Sequence, residues 1–388
     1  MDMEHEEHFI SLNIPESEDE GTVCRELNIS PFCFHKQNLQ IRGVNIAKAI
    51  NAMTLDRCVV FGEFYLRIVP PSGEVWLNVT PAKLPMMPLG WTPYSFADNK
   101  IMLLGHPILG DCKIEQIPLP ENGSPRYLKG YSFPFLGTER PFHELRINPK
   151  NTGHCPGQCK FCHRYYSRRM RPTGMPLLAP ELVVNTILEK HGIDALEKVD
   201  RILILTELFG SESKYLDYLE RIKYLLIQRG FGRSQEFTVS GQDVRTKTGM
   251  ERLLRIVNPR RFAYTLEVFS DRSILMSRYK GIPLKEVMEV LRKARQAGFD
   301  EIQVNYVAGI DQISIFEASL EEIRGHGLVD SIGFNVFTPF FSDQLSLRTP
   351  EAWSVRYYFQ MTEIIRRLGI RFYEPHSYEM GTPFWIGQ

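Results

Sequence analysis

Three cysteines fall within eight residues. The stretch HCPGQCKFCHRYYSRR, from His154 to Arg169, holds Cys155, Cys159 and Cys162, while Cys24, Cys33, Cys58 and Cys112 lie far apart. A thiol acts as a ligand in its thiolate form, so three in one short loop point to a metal centre. The Cys-x3-Cys-x2-Cys loop also carries Gly153 and Gly157. A structural zinc site takes four protein ligands. No fourth cysteine is near, and His154 or His163, each directly beside a cysteine, would have to complete such a site. Three thiolates suit a cubane [4Fe-4S] cluster with one iron left open to a small molecule. A cluster that only transfers electrons is a further reading. Seven cysteines is an odd count, which argues against a disulfide framework, and the four scattered ones read as free buried thiols.

Something must hold that loop. The chain has 388 residues, 43% hydrophobic and 24% charged, enough for one large α/β barrel with an accessory region. Formal net charge is zero, which supplies no electrostatic case for nucleic acid or a membrane surface. No apolar run reaches the roughly 18 residues that span a bilayer. The acidic start MDMEHEEHFISLNIPESEDE lacks the basic and apolar segments of a secretory signal. The reading is a soluble cytoplasmic protein.

From residue 142 onward, β-rich runs alternate with helical stretches. Strands are expected at 142–148, 201–207, 236–240, 261–268, 301–309 and 331–339. Helices are expected at 180–192, 213–230, 249–257, 283–298, 314–327 and 350–369, several closing on glycine. Six such units imply α/β architecture: a parallel, partial (β/α)6 barrel with chemistry at the C-terminal strand ends. Residues 1–20 read as a disordered acidic tail, 21–140 as an N-terminal β-rich accessory domain, 141–374 as the barrel and 375–388 as a tail or lid. In the accessory region, 58–69 and 73–79 read as antiparallel strands and 43–53 as a short helix. The barrel strand ends carry Asn148, Thr206, Glu207, Ser240, Glu267, Asn305 and Asn335. A buried polar group without a partner costs about 1–3 kcal/mol, so this set reads as a lumen lined for a polar ligand.

Residues 142–374 resemble a radical S-adenosylmethionine (SAM) enzyme. CPGQCKFC has that superfamily's Cys-x3-Cys-x-aromatic-Cys form, with Phe161 as the aromatic, after the first strand of a six-unit barrel. The resemblance implies a [4Fe-4S] cluster on Cys155, Cys159 and Cys162 whose open iron takes the amino and carboxylate groups of SAM. It implies reductive cleavage of SAM to methionine and a 5′-deoxyadenosyl radical, which abstracts hydrogen from a substrate. It implies Thr206 and Glu207 for the SAM ammonium, in LTELFGSES, where the superfamily's usual paired glycines are missing. It implies Ser240 and Gln242 for ribose or methionine, Glu267 for the ribose hydroxyls and Arg278 for the carboxylate. Gly309 and Ile310 would flank adenine, with backbone near Phe337 and Thr338 beside it. An electron donor such as flavodoxin or ferredoxin is the implied partner.

The substrate is less constrained. Asn305 and Asn335 sit at strand ends that would face it. Arg168 and Arg169, with Arg164 and Arg171, would meet an anionic substrate or an acidic electron donor, or form a solvated basic face. His376 lies in the aromatic C-terminal stretch FYEPHSYEMGTPFWIGQ. No cysteine follows Cys162, so Tyr306 and Tyr378 are the candidates for closing a radical reaction. The reading is an enzyme acting on a small polar molecule in specialised-metabolite or cofactor biosynthesis. A peptide- or RNA-modifying enzyme is the alternative, and a non-catalytic iron–sulfur redox or sensor protein is the alternative of another class.

Overall fold

Two helices come first among the described residues. Helix α1 (Glu20–Leu27) starts at Asp19, whose carboxylate accepts from the Thr22 amide at 2.7 Å, and stops at Asn28 in the left-handed region. Helix α2 (Pro31–Arg42) starts behind Ser30, whose hydroxyl accepts from the Cys33 amide, and has proline in its first position. Both lie where the sequence reading puts an acidic tail and the start of a β-rich domain, and the capping residues are the signal for them. Glu18, inside the expected tail, accepts from the Ser354 hydroxyl and the Val355 amide, both at 2.7 Å, and from Arg356 at 2.6 Å. The N-terminal helices are thereby tied to the far end of the chain.

The computed structural model describes residues 18–42, 155–162, 177, 179–191, 199–205, 208–232, 235–240, 242–337 and 342–372, and eight strands between 64 and 147. The helix expected at 43–53 lies outside the described residues. Strands β1 (Phe64–Ile68), β2 (Val75–Val79), β3 (Tyr94–Ala97), β4 (Lys100–Leu103), β5 (His106–Leu109) and β6 (Cys112–Gln116) follow. They pair as two antiparallel sheets, in the orders β2-β1-β6 and β3-β4-β5.

The main sheet starts with a hairpin of β7 (Leu128–Phe133) and β8 (Phe142–Ile147). The chain then alternates: α3 (Pro180–His191), β9 (Arg201–Leu205), α4 (Glu212–Ile227), β10 (Glu236–Ser240), α5 (Lys247–Ile256) and β11 (Arg261–Glu267). A short α6 (Arg272–Leu275) and α7 (Leu284–Ala297) lead to β12 (Glu301–Ala308), α8 (Ile313–Gly325) and β13 (Ser331–Val336). Two 3-10 turns, Ser342–Leu347 and Pro350–Trp353, precede α9 (Val355–Arg367) and β14 (Arg371–Phe372). The eight strands run in the order β14-β13-β12-β11-β10-β9-β8-β7, with β8 to β14 parallel. All six expected barrel strands are present and start on the expected residues. The additions are β14 and the antiparallel β7, which lies before residue 140 and pairs across the expected boundary with β8. Pairing with β7 gives β8 a partner on what would otherwise be an open edge.

The strands alternate rather than reading as continuous apolar runs. Phe262, Tyr264 and Leu266 of β11 are buried in the main core, while Arg261, Ala263, Thr265 and Glu267 on the opposite, inner face are half-buried. Helix α7 covers the core with Val287, Met288, Val290, Leu291 and Ala294, a helical stripe closed by Gly298 in the left-handed region. Burying one such side chain contributes about 1.5–3 kcal/mol. The packing therefore comes from the outer face, which leaves the inner face free to carry polar groups.

Candidate active site at the strand ends

The cysteine loop follows β8 and is held from two distant segments. The Lys160 amide donates to the Leu275 carbonyl at 2.8 Å, and the Ser277 amide donates to the Gly157 carbonyl at 2.8 Å. The Ser277 hydroxyl bonds the Pro156 carbonyl, and Gln344 Nε2 donates to the Lys160 carbonyl at 2.8 Å. Cys159 and Phe161 pack with Val268, Leu275, Met276 and Phe337 in one apolar wall, with Cys162, Val307, Ile310 and Leu347 against it. Four separate strand ends thus meet at the cysteines. Burial pushes the Cys159 thiol up to about 12, against the pull of the Lys280 ammonium. Such a sulfur keeps its proton unless a metal takes the proton's place.

Among the described residues, Lys280 is a buried cation at the loop. It is ion-paired to Glu267 at the end of β11. Burial alone would drive its ammonium down, but negative charge on the Cys159 sulfur and on Glu267 outweighs that and holds it above its ordinary value. Arg278, the residue expected to bind the SAM carboxylate, is exposed. The turn after α6 decides which of the two basic residues points inward. Buried Arg272 shapes that turn, donating to the Ile282 carbonyl at 2.7 Å, to the Leu266 carbonyl at 2.6 Å and to the Val268 carbonyl. A Cβ at Gly281 would fall 2.4 Å from the Arg272 carbonyl oxygen. Gly281→Ala is therefore expected to destabilise the protein by about 1–3 kcal/mol, read from the urea midpoint. An unchanged midpoint would show that the turn yields.

Glu267 itself has φ 71°, the left-handed region, just after a break in the register with β12. An L side chain there costs about 1–2 kcal/mol, and the carboxylate is thereby aimed at Lys280. Among the described residues Gln242, fully buried, has neither its amide nitrogen nor its amide oxygen bonded. A buried amide in that state calls for a partner from outside the chain, at a position expected to touch SAM.

Two buried carboxylates fix the neighbouring loops. Asp243 accepts from the Phe209 and Gly210 amides, both at 2.9 Å, and from the Tyr279 hydroxyl at 2.7 Å. Asp311 accepts from the Phe269 amide at 2.8 Å, the Ser270 amide at 2.9 Å and the Tyr306 hydroxyl at 2.8 Å. Hydrogen bonds to a charged group contribute about 1.5–3 kcal/mol each, so Asp311→Asn is expected to cost about 2 kcal/mol in thermal or urea unfolding. Full retention of stability would place the support of this loop elsewhere.

These carboxylates, Arg272 and Lys280 were not singled out from the sequence. The available signals were a buried-type Asp directly after each strand-end loop and a basic residue directly before Gly281. Among the expected residues, Tyr306 lies on the outer face, between Phe269 and Phe316 at ring distances of 5.2 and 5.0 Å. Asn305 accepts from Gln303 Nε2 at 2.7 Å, and its oxygen lies where a Cβ on Gly333 would be. Asn335 is half-buried on β13, and Gly309 holds φ 110° beside the Tyr358 hydroxyl. Ser240 ends β10, its side chain outside the described residues, as are Thr206, Glu207, Thr338, Arg168, Arg169, His376 and Tyr378.

Among the described residues no three His, Cys, Asp or Glu side chains converge on a point for one metal ion. A cubane needs no such point, because each thiolate takes a different iron. The residues present fit a cluster with SAM beside it: three thiols in one braced loop, a dry wall, an inward cation and an orphaned amide.

Residues 152–323 match the model of the Radical SAM superfamily. The superfamily uses a [4Fe-4S] cluster and S-adenosylmethionine. Among solved structures, HydG, a maturase of the FeFe-hydrogenase, aligns with a TM-score of 0.44 and 12% identity over 58% of this chain and 50% of that one. Coproporphyrinogen III oxidase (HemN) from Escherichia coli gives 0.35 and 12% over 49% and 45%. The radical SAM methyltransferase TsrM from Kitasatospora setae, with cobalamin and a [4Fe-4S] cluster bound, gives 0.36 and 12% over 52% and 36%. The chain spans half or less of the length of these three. No curated protein matches it. No described helix is long and apolar enough to cross a membrane.

Proposed function

We propose that the chain is a radical SAM enzyme that takes hydrogen from a small polar substrate in specialised-metabolite or cofactor biosynthesis in the cytoplasm. The convergence of Phe161, Ile310, Phe337 and the Glu267–Lys280 pair on the cysteine loop carries this reading. Cys155, Cys159 and Cys162 would hold the cluster. When bound, the cluster and SAM supply a one-electron cleavage of SAM to methionine and a 5′-deoxyadenosyl radical, which becomes 5′-deoxyadenosine on taking a hydrogen atom.

The chain's own residues bind and orient. Lys280, rather than Arg278, pairs with the SAM carboxylate, a charge-assisted contact in a dry site. Glu267 accepts from the ribose hydroxyls, and Gln242 gives its unused donor and acceptor to ribose or methionine. Ile310 and the backbone at Gly309, Phe337 and Thr338 border adenine. Thr206, Glu207 and Ser240 complete the ammonium and ribose contacts. The apolar wall excludes water from the reacting atoms. Asn305 and Asn335 face the substrate, with Arg168, Arg169 and His376 as outer contacts. Because the Tyr306 hydroxyl is given to Asp311, Tyr378 is the better candidate for closing the reaction. Flavodoxin or ferredoxin supplies the electron. The test is anaerobic: reconstitute the protein with iron and sulfide, reduce with dithionite, add SAM and look for 5′-deoxyadenosine. A four-iron protein that neither binds nor cleaves SAM overturns the reading.

A further inference from the structure

The segment after β13 joins four parts of the molecule that are remote in sequence. Gln344 reaches the cysteine loop through the Lys160 carbonyl at 2.8 Å. Leu347 packs against the apolar wall. The Thr349 amide donates to the Gly309 carbonyl at 2.9 Å, at the end of β12. Between them lies Arg348, 4% exposed, with its guanidinium 4.4 Å from the centre of the Trp353 ring. It donates through Nη1 to the Ile41 carbonyl in the last turn of α2 at 2.7 Å, and through Nη2 to the Phe337 carbonyl just past β13. The Phe337 amide in turn donates to the Ala308 carbonyl at 2.7 Å.

The planar fork of a buried guanidinium fixes the separation of the carbonyls that it holds. Here one fork spans α2 and the strand end that borders the proposed adenine site. We infer that Arg348 is a positioning residue through which helices α1 and α2 set the β13 side of the SAM pocket. The N-terminal helices then belong to the frame of the cofactor site. This rests on the proposed function, since it needs SAM at the strand ends.

The test uses the full-length, reconstituted, unreduced protein, so that SAM binds without turnover. Arg348→Lys reaches one carbonyl at most and is expected to raise the SAM Kd about tenfold with iron content unchanged. Hydrogen exchange at the Phe337 and Thr349 amides should quicken in the same variant. Arg356→Gln, which cuts the ties to Glu18 and Glu26 but leaves Arg348 in place, is expected to lower Tm and leave the Kd alone. If Arg348→Lys does not fold, Trp353→Phe decides, with an expected rise of about threefold. A Kd within twofold of wild type in the folded variants, or an equal rise in Arg356→Gln, overturns the inference. A wild-type protein that holds its cluster but does not bind SAM removes the site and the inference together. Wild-type binding with unaltered variants removes the inference alone.

Discussion

Cys159→Ala protein, reconstituted anaerobically with iron and sulfide, is expected to hold no stable four-iron cluster and to form no 5′-deoxyadenosine above background. Cys159 is the central and most buried of the three thiols, and it lies against Phe161, Val268 and Phe337. Methyl in place of thiol leaves two cysteines in the loop, one ligand short of the set the superfamily motif provides. The packing loss is small, because the loop keeps its bonds to Leu275, Ser277 and Gln344. Iron per chain, with mass spectrometry of the nucleoside, separates lost ligation from lost folding. A variant that keeps its iron and still yields the nucleoside would refute the assignment of Cys159.

Lys280→Met is expected to show the second-largest effect, on stability and on SAM binding together. Removing one partner of a buried ion pair strands the other charge and costs about 3–5 kcal/mol. Glu267 is that stranded group. The double variant Lys280→Met, Glu267→Gln should recover most of the stability, since a neutral pair of similar volume leaves no charge unpaired. It should not recover SAM binding. Loss of a desolvated charged contact to the SAM carboxylate is expected to weaken binding roughly a hundredfold. Urea unfolding of the single and double variants, each paired with a SAM titration, checks both parts. Normal SAM affinity in the double variant would show that Lys280 serves Glu267 alone.

What the sequence made legible followed from short-range pattern. The starts of β8 to β13 coincide with the expected residues, because β-branched runs after polar breaks mark where a parallel strand enters. The cysteine loop and Phe161 were legible because their spacing is itself the chemistry. Lys280 was not, because Arg278 and Lys280 both carry a positive charge and are two residues apart. Which one points inward is set by Arg272 and Gly281, whose contacts exist only after folding. Helices α1 and α2 were missed because nearly all of this stretch was read as the start of a β-rich domain, although Asp19, Asn28 and Ser30 are ordinary caps. Tyr306 was a candidate for closing a radical reaction because no cysteine follows Cys162. The two-residue period puts it on the outer face with Val304 and Ala308.

The loop braces also set the order in which the molecule is finished. Asp243 and Asp311 reach back 33–34 and 41–42 residues, so each loop waits for the following βα unit before it is held. The cysteine loop waits longest: its bonds to Ser277 and Gln344 span 121 and 184 residues. During synthesis from the N-terminus, all three cysteines emerge long before the segments that brace them. Closing such long loops comes late in folding. A nascent chain therefore carries three mobile thiols, and a nearly complete one carries a shaped socket. Cluster insertion belongs to the end of maturation, after residue 344 has left the ribosome and docked.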